Sequence, residues 1–425
     1  MKYTPSLHYL SNGMVVILDP MDIATTSMSL AIQTGGRDES ESEFGITHFM
    51  EHMFMRGTPK HSSPKEIKDY IESKGGRINA STGNSSMRIH GRILSENLYV
   101  LAELISDLFK NSLFNEKAIE NEKSVILDEF RRSLDDKERN FFYFKVQNVF
   151  AGSGFEHRTL GTSENIQSFT REQLLNYRNT RISAKNTAIG ISGKIENIDI
   201  LLAQLEELFG WLPSFDVPSN SDAKIIPSIA HNLKPEQKQV MLNICFEDIW
   251  PQILENRFKQ KCVGRFEGAL SRRLHDEVRN KNGLVYYIGI GSFGNEKTSV
   301  NTINCSSAPE NLEKIVAICA RVSAEILNKK QITKEEFEIS AVQMKLNDAD
   351  WLESAGARRD RLLGFYRQYG LLYDFYANAK ERDSLTIPDV IENTQEFFSK
   401  PISILTQGPE FSTDLKQVWM DNFKI

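Results

Sequence analysis

The sequence contains few cysteines, and their arrangement gives no sign of a disulfide framework. There are four in 425 residues, all in the second half of the chain: Cys245, Cys262, Cys305 and Cys319. None belongs to a C-x-x-C pair, and none has the spacing of a disulfide-rich module. Because unpaired thiols of this kind suit a reducing compartment, we expect a cytoplasmic protein.

Long apolar runs and long basic runs are also missing. No apolar stretch is long enough to cross a bilayer, and the N-terminal residues 1–8 lack the apolar segment of a signal peptide. The net charge of −6 is distributed without a basic patch, so the sequence has no electrostatic footprint for nucleic acid. We therefore expect neither membrane nor nucleic-acid partners.

The chain does contain enough apolar residues to build large cores. Hydrophobic residues make up 40% of it and charged residues 25%, as in folded globular proteins. A length of 425 residues exceeds one ordinary core, so two domains of roughly 200 residues each are expected. Pro, Ser, Asp and Asn are concentrated in residues 213–228, which predicts a linker. The predicted domains are therefore residues 1–212 and residues 229–425.

Hydrophobic periodicity predicts strands and helices in a similar order in both halves. In the first half, the predicted strands are 14–18, 26–34, 76–81, 86–93 and 186–192, and the helices are 45–55, 63–73, 95–109, 116–133, 140–150 and 170–177. In the second half, the strands are 239–246, 284–291, 300–306 and 402–407, and the helices are 264–278, 311–328 and 334–348. Without strict βαβ alternation, the α+β class is favoured. The repeated order predicts two similar α+β domains, each a mostly antiparallel sheet with helices packed on it.

Three side chains that suit metal chemistry fall within one helical turn. His48, Glu51 and His52 have i, i+3 and i+4 spacing, so they share a face of the predicted helix 45–55. Imidazole nitrogen is a preferred zinc ligand, and a nearby carboxylate can take a proton from water, so the order H-x-x-E-H supplies two ligands and a general base. The other residues of this helix are mostly apolar, and buried polar groups are costly without partners. The alternative is a chance grouping of ordinary histidines beside a glutamate.

A catalytic zinc site needs a third protein ligand. The predicted helix 116–133 offers Glu122 and Glu129, which are seven residues apart and share one face. One of them could bind the metal while the other orients a histidine ligand. Spacing alone leaves open which glutamate does which, and a solvated helix face would explain either of them equally well.

These residues resemble those of the insulinase–pitrilysin family of inverted-motif zinc peptidases, the inverzincins. The most similar members are the short bacterial ones that are like the β-subunit of the mitochondrial processing peptidase. The resemblance covers nearly the whole chain, through residues 10–13, 36–39, 45–58, 75–76, 79–82, 160–162 and 271–286. It implies that Glu129 is the third ligand of one zinc ion per chain and that Glu122 supports a histidine ligand. It also implies an edge strand that holds the substrate as an added β-strand, formed by Asn79, Ala80, Ser81 and Thr82.

In the second half, the resemblance lies in an arginine and a tyrosine seven residues apart. It implies that Arg279 and Tyr286 contact the substrate near the scissile bond, where a guanidinium and a phenol are suitable donors to a developing oxyanion. Without the resemblance, they would be interpreted as a helix-end arginine and a core tyrosine. Larger family members divide these two parts of the site between the halves of a longer chain. The resemblance therefore implies a homodimeric chamber in which Arg279 and Tyr286 complete the zinc site of the other chain.

The sequence thus predicts a zinc endopeptidase that cleaves short or unfolded peptides with Glu51 as the general base. One alternative is a non-catalytic subunit of a processing-peptidase-like complex. Another is a metal-dependent hydrolase of non-peptide substrates, which the predicted peptide-binding strand disfavours. The simultaneous presence of ligands, base and polarising pair favours the peptidase.

Overall fold

The computed structural model of the protein describes residues 4–151, 154–218, 224–250, 253–294, 298–329 and 331–424. The chain forms two compact units, each made of three segments. The first unit consists of Met1–Asp136, Ser153–Ser221 and Ala349–Asp374, and the second of Lys137–Gly152, Asp222–Asp348 and Phe375–Ile425. Within the described ranges, no helix is both long and apolar enough to cross a bilayer.

Strands and helices are distributed over both units. The strands are β1 Ser6–Tyr9, β2 Val15–Pro20, β3 Thr25–Ile32, β4 Arg77–Thr82, β5 Met87–Leu94, β6 Phe150–Ala151, β7 Thr187–Gly193, β8 Lys224–Ile225, β9 Ile229–Leu233, β10 Val240–Glu247, β11 Ile288–Gly294, β12 Ser299–Ser307 and β13 Ser403–Gly408. The helices are α1 Ile46–Phe54, α2 Pro64–Ser73, α3 Leu98–Asn111, α4 Glu116–Asp135, α5 Lys137–Val149, α6 Ser163–Ser168, α7 Arg171–Arg181, α8 Ile198–Phe209, α9 Arg257–Leu274, α10 Leu312–Asn328, α11 Lys334–Glu353, α12 Ala355–Tyr369, α13 Phe375–Asp383, α14 Ile387–Thr394 and α15 Leu415–Asn422. A π-helical turn, His275–Lys281, continues α9.

The first unit is built on a six-stranded sheet with the order β1-β2-β7-β3-β5-β4. Its neighbouring strands are antiparallel except for the parallel pair β2 and β7. Side chains alternate between the two faces of a strand, and on β3 Met28 and Leu30 join the core that α1 and α3 help to form. On the opposite face, Ser27 accepts a hydrogen bond from Arg359 of α12 at 2.6 Å. Helices therefore cover both faces of this sheet.

The second unit repeats this plan with a five-stranded sheet, in the order β11-β12-β10-β13-β9. Only the pair β13 and β9 is parallel. On β10, Leu242 and Ile244 face the core that includes residues of α9 and α10. The alternate residue Asn243 faces the other way and accepts a hydrogen bond from Lys145 of α5. The predicted fold class, two α+β domains with mostly antiparallel sheets, is confirmed.

Each sheet is covered on one face by a helix from the other half of the sequence. Helix α12 lies late in the chain but packs on β2, β3 and β7 of the first unit, and α5 lies early but packs on β9 and β13 of the second. The predicted domains, residues 1–212 and 229–425, would place α5 in the first domain and α12 in the second. In the structure, α5 belongs to the second unit and α12 to the first. Within the predicted linker, residues 219–223 lie outside the described residues, and Lys224–Ile225 forms β8, which pairs with β6.

A buried ion pair attaches α12 to the first sheet. Asp19 of β2 is fully buried, and its two carboxylate oxygens accept hydrogen bonds from Nε and Nη2 of Arg358, both at 2.6 Å. Two parallel charge-assisted bonds of this kind fix position as well as adding binding energy. This pair therefore connects strand β2 and helix α12, which are far apart in the sequence.

Asp19→Asn tests the importance of this pair. We expect the free energy of unfolding to fall by about 3 kcal/mol, because the substitution removes the negative charge of the fully buried Asp19 from its bidentate contact with Arg358. Asp216→Asn is the matched control, since it breaks an exposed 2.9 Å ion pair with Lys185 and should change stability by less than about 0.5 kcal/mol. Chemical denaturation would measure both variants, and equal losses in the two would contradict the assignment.

Candidate metal centre

Helix α1 begins where two backbone segments come close together. Gly45 has φ +96°, and a Cβ atom there would lie 2.7 Å from the carbonyl oxygen of Leu160. Only glycine adopts this conformation readily and also leaves room for that segment. The helix that follows is mostly buried, so its position in the first unit is tightly defined.

A buried carboxylate fixes the first turn of α1. The two oxygens of Glu39 accept hydrogen bonds from the backbone N–H groups of Gly45, at 2.8 Å, and Thr47, at 2.9 Å. These groups have no partner within the helix, and a negative charge at a helix N-terminus is favourable. Burial raises the pKa of Glu39, while the neighbouring His157 and these hydrogen bonds oppose the shift. The Thr47 hydroxyl lies 2.8 Å from the hydroxyl of Tyr177, which attaches the same turn to α7.

The three predicted metal ligands converge between α1 and α4. One oxygen of Glu129 lies 3.7 Å from Nε2 of His48 and 3.7 Å from Nε2 of His52. The three ligand atoms all lie within 4.8 Å of one another. Ligand atoms on a tetrahedral zinc ion are roughly 3.4 Å apart, given zinc–ligand distances of about 2.0–2.2 Å. The donor set and its spacing therefore fit one zinc ion with a position left open for another ligand.

Glu122 lies behind a histidine and not among the converging atoms. Its side chain is only 2% exposed, and its Oε2 lies 2.8 Å from Nδ1 of His52 and 2.6 Å from Nη2 of Arg56. A carboxylate at Nδ1 holds the proton on that nitrogen and leaves Nε2 free to bind a metal. The geometry thus separates two glutamates that sequence spacing treats alike: Glu129 lies close to both Nε2 atoms, and Glu122 contacts Nδ1 of His52.

Glu51 projects from the same helix near the edge of the sheet. Burial raises the pKa of its carboxyl group, and the neighbouring Thr82 and His52 counteract part of that shift. A carboxylate with a raised pKa is a better proton acceptor near neutral pH. The position of Glu51 therefore suits a general base.

The predicted substrate strand lies at the edge of the first sheet. Residues Asn79, Ala80, Ser81 and Thr82 belong to β4, which pairs through one side with β5 in a register that joins Asn79 to His90 and Thr82 to Met87. Within the described part of the chain, no strand pairs with the other side of β4. An unpaired strand edge can take up an extended peptide through main-chain hydrogen bonds.

Arg279 and Tyr286 lie together in the second unit. The guanidinium carbon of Arg279 is 5.1 Å from the ring centroid of Tyr286, a distance suited to a cation–π contact. Nη1 of Arg279 is 3.0 Å from Nε2 of His275, on the π-helical turn that follows α9. Tyr286 is 85% exposed, so it is not a core tyrosine. Both polar groups are thus presented at the surface of their unit.

Some supporting residues were not singled out from the sequence. Glu39 and Arg56 lie inside segments that carry the family resemblance, but neither has a distinctive spacing from the metal ligands. Their roles depend on contacts with the start of α1 and with Glu122, and these contacts exist only in the folded chain.

Comparison with known proteins places the chain in a family. The sequence-family model described as Insulinase (Peptidase family M16) matches residues 15–162. The family model described as Peptidase M16 inactive domain matches residues 168–343. The chain belongs to the insulinase family. The predicted resemblance is therefore confirmed. His48, Glu51, His52 and Glu129 fall within the first match, and Arg279 and Tyr286 within the second.

Relatives within the insulinase family are similar over most of this chain or over its first half. An uncharacterized zinc protease of Rickettsia bellii is 28% identical over 413 residues, covering 96% of this chain and 98% of that protein. The mitochondrial-processing peptidase subunit beta of Dictyostelium discoideum is 31% identical over 201 residues, covering 47% of this chain and 42% of that protein. A solved protease from Helicobacter pylori has the same fold, with a TM-score of 0.81 at 18% identity over 96% of this chain and 100% of that one. The family and the relatives' names support a zinc metallopeptidase.

Glu122→Gln tests how His52 is oriented. We expect zinc affinity to fall by about 10–100-fold, because the amide is a weaker acceptor for the His52 N–H and loses the charge that pairs with Arg56. Competition with a chromophoric chelator would measure the zinc Kd. Glu120→Gln is the control, because Glu120 is an exposed glutamate on the same helix that pairs with Lys123 and not with a histidine. An unchanged zinc Kd in the Glu122→Gln protein would contradict the proposed orienting role.

Proposed function

We propose that the protein is a zinc-dependent endopeptidase that cleaves short or unfolded peptides. The observation that carries the proposal is the convergence of His48, His52 and Glu129 beside Glu51 and an unpaired strand edge. Each of these features has an ordinary structural explanation alone. Together they supply metal ligands, a proton acceptor and a means of holding a peptide, which is the set that peptide hydrolysis needs.

The peptide binds as an added strand along β4. Main-chain hydrogen bonds to Asn79–Thr82 would hold it in an extended form, largely independent of its side chains. Because Thr82 also lies beside Glu51, a peptide on this edge would pass close to the general base. A folded protein would have to open locally to present such a strand, so short and unfolded chains are the preferred substrates.

The chemistry consists of proton transfers around an attack by water. A zinc ion held by His48, His52 and Glu129 would polarise the scissile carbonyl and lower the pKa of water at the open position. Glu51 accepts a proton from the attacking water and then delivers it to the leaving amine nitrogen. Arg279 and Tyr286 donate hydrogen bonds to the oxyanion that develops on the carbonyl oxygen.

The assembly that we propose is a homodimer with a closed chamber. In it, Arg279 and Tyr286 of one chain complete the zinc site of the other. The high exposure of Tyr286 is consistent with a partner outside its own unit. A cytoplasmic location also stays a prediction, and the four free, buried cysteines are consistent with it.

The rival function is a non-catalytic subunit of a processing-peptidase-like complex. A subunit that only supports an assembly has no need for a metal ligand set, a base or a carboxylate that orients a ligand. All of these are present in this chain, and Glu122 contacts His52 directly. We therefore favour the peptidase.

Glu51→Gln separates metal binding from hydrolysis. We expect the variant to retain zinc, because Glu51 is not among the three converging ligands, but to lose cleavage by about 10²–10⁴-fold, the usual contribution of a general base. Turnover of a quenched fluorescent peptide and metal analysis would be measured on the same sample. Glu41→Gln, an exposed glutamate shortly before α1, is the control. A fully active Glu51→Gln protein would exclude this mechanism.

Mixing two inactive variants tests the shared site. If Arg279 acts on the partner's zinc site, Glu51→Gln and Arg279→Ala chains mixed in equal amounts form heterodimers with one intact site. Random pairing then restores about a quarter of wild-type activity, since half of the dimers are mixed and each has one of two sites. If both groups act within one chain, the mixture stays inactive. Solution mass would be measured in parallel, because a monomer would contradict the dimer directly.

A further inference from the structure

A cavity of about 580 Å³ opens beside Tyr286 in the second unit. One wall is α5, and the other is formed by strands β10, β11 and β12. Polar groups of the sheet, among them Thr302 and Asn304, line one part of it, and the rings of Phe142 and Phe293 line another. Its volume is within the range of sites that bind small molecules or single side chains.

The cation at this cavity is Lys145 of α5. Its Nζ donates a hydrogen bond to Oδ1 of the buried Asn243 at 3.1 Å. It also lies 5.0 Å from the ring centroid of Phe293, 5.3 Å from that of Phe141 and 5.9 Å from that of Phe142. Three ring faces and one amide are a sparse set of partners for an ammonium group, which has three N–H donors.

Within the described ranges, Lys145 forms no ion pair. Glu138 also lines the cavity but is exposed and makes no salt bridge with the ammonium group. Burial lowers the pKa of Lys145, and the electrostatic effects of Cys245 and Glu138 oppose only part of that shift. An anion that enters the cavity would supply a negative charge beside Lys145. It would also accept a hydrogen bond from an N–H of the ammonium group that does not bind Asn243.

We propose that this cavity is a subsite that binds a carboxylate of the peptide substrate through Lys145. The inference rests on the proposed function, because Tyr286 at the rim is assigned there to substrate binding. The carboxylate would come from an acidic side chain or from the peptide's C-terminus. The surrounding Phe142 and Phe293 would pack on the carbon atoms that carry it. A basic side chain would instead be repelled by Lys145.

Peptide pairs that differ in one charge test this subsite in the zinc-loaded protein. In the first arm, a single Glu is moved along an amidated peptide and compared with Gln at each position. In the second arm, a free C-terminal carboxylate is compared with the amide. We expect one arm to show a preference for the acid of about tenfold in kcat/KM, as a charge-assisted hydrogen bond in a partly desolvated site would give. Lys145→Met should abolish the preference, and Lys145→Arg should retain most of it.

Two further variants separate charge from fold. Lys259→Met is the matched control, because Lys259 of α9 also lies over an aromatic ring, that of Trp250, but lines neither this cavity nor the metal centre. It should leave the preference unchanged. Gly291→Leu should reduce the preference while keeping Lys145, since a Cβ at Gly291 meets nothing closer than 3.6 Å and the longer side chain would fill the cavity.

The outcomes distinguish this inference from the peptidase itself. Equal cleavage of acidic and neutral peptides in every pair would overturn the subsite and leave the peptidase standing, as would a preference that persists in Lys145→Met. If the wild-type protein cleaves no peptide, the proposed function fails. The subsite is then decided by fluorescence anisotropy of the same labelled pairs bound to the Glu51→Gln protein. Tighter binding of the acid that Lys145→Met removes supports it, and equal binding overturns it.

Discussion

The site depends on the contact between helices α1 and α4, because each supplies part of one donor set. His48 and His52 come from α1 and Glu129 from α4, and a small shift of either helix would separate ligand atoms that now lie within 4.8 Å. A hydrogen bond across this contact, between His52 Nδ1 and Glu122 Oε2, adds an electrostatic link in the same place. The backbone groups at the start of α1 are in turn held by Glu39. Burial and capping thus hold these side chains in place.

A second constraint is that each sheet needs cover on both faces. On the face of the first sheet that α12 covers, polar residues such as Asp19 and Ser27 are buried. Arg358 and Arg359 of α12 are their hydrogen-bond partners. On the second sheet, Lys145 of α5 reaches Asn243 in a comparable way. Buried polar groups must be paired, so these faces require particular helices and not merely apolar ones. Helices α12 and α5, each from the other half of the sequence, supply these partners.

The two helices that cover the sheets, α12 and α5, differ in how completely their charged side chains are paired. In the Asp19–Arg358 pair, both carboxylate oxygens accept hydrogen bonds from the guanidinium group, and the pair stabilises the fold. Lys145 has ring faces and one amide as partners, beside a cavity that reaches Tyr286. A satisfied polar contact holds a fold together, whereas a cation with unused donors can also select a ligand. The helices that cover the two sheets therefore differ in their chemistry.

Local sequence determined the elements that carry the chemistry. The i, i+3, i+4 spacing of His48, Glu51 and His52 and the periodicity around Glu122 and Glu129 follow from helix geometry, so the faces of α1 and α4 were predictable. Family resemblance, not spacing, chose Glu129 as the ligand. Tertiary structure decided what spacing could not: the distances between α1 and α4, the place of Glu122 behind His52, the capping by Glu39 and the exchange of α5 and α12. The helices between residues 349 and 401 were not predicted at all. Contacts such as that of Asp19 with Arg358 join residues far apart in the chain, and no local pattern encodes which distant partner a buried charge will meet.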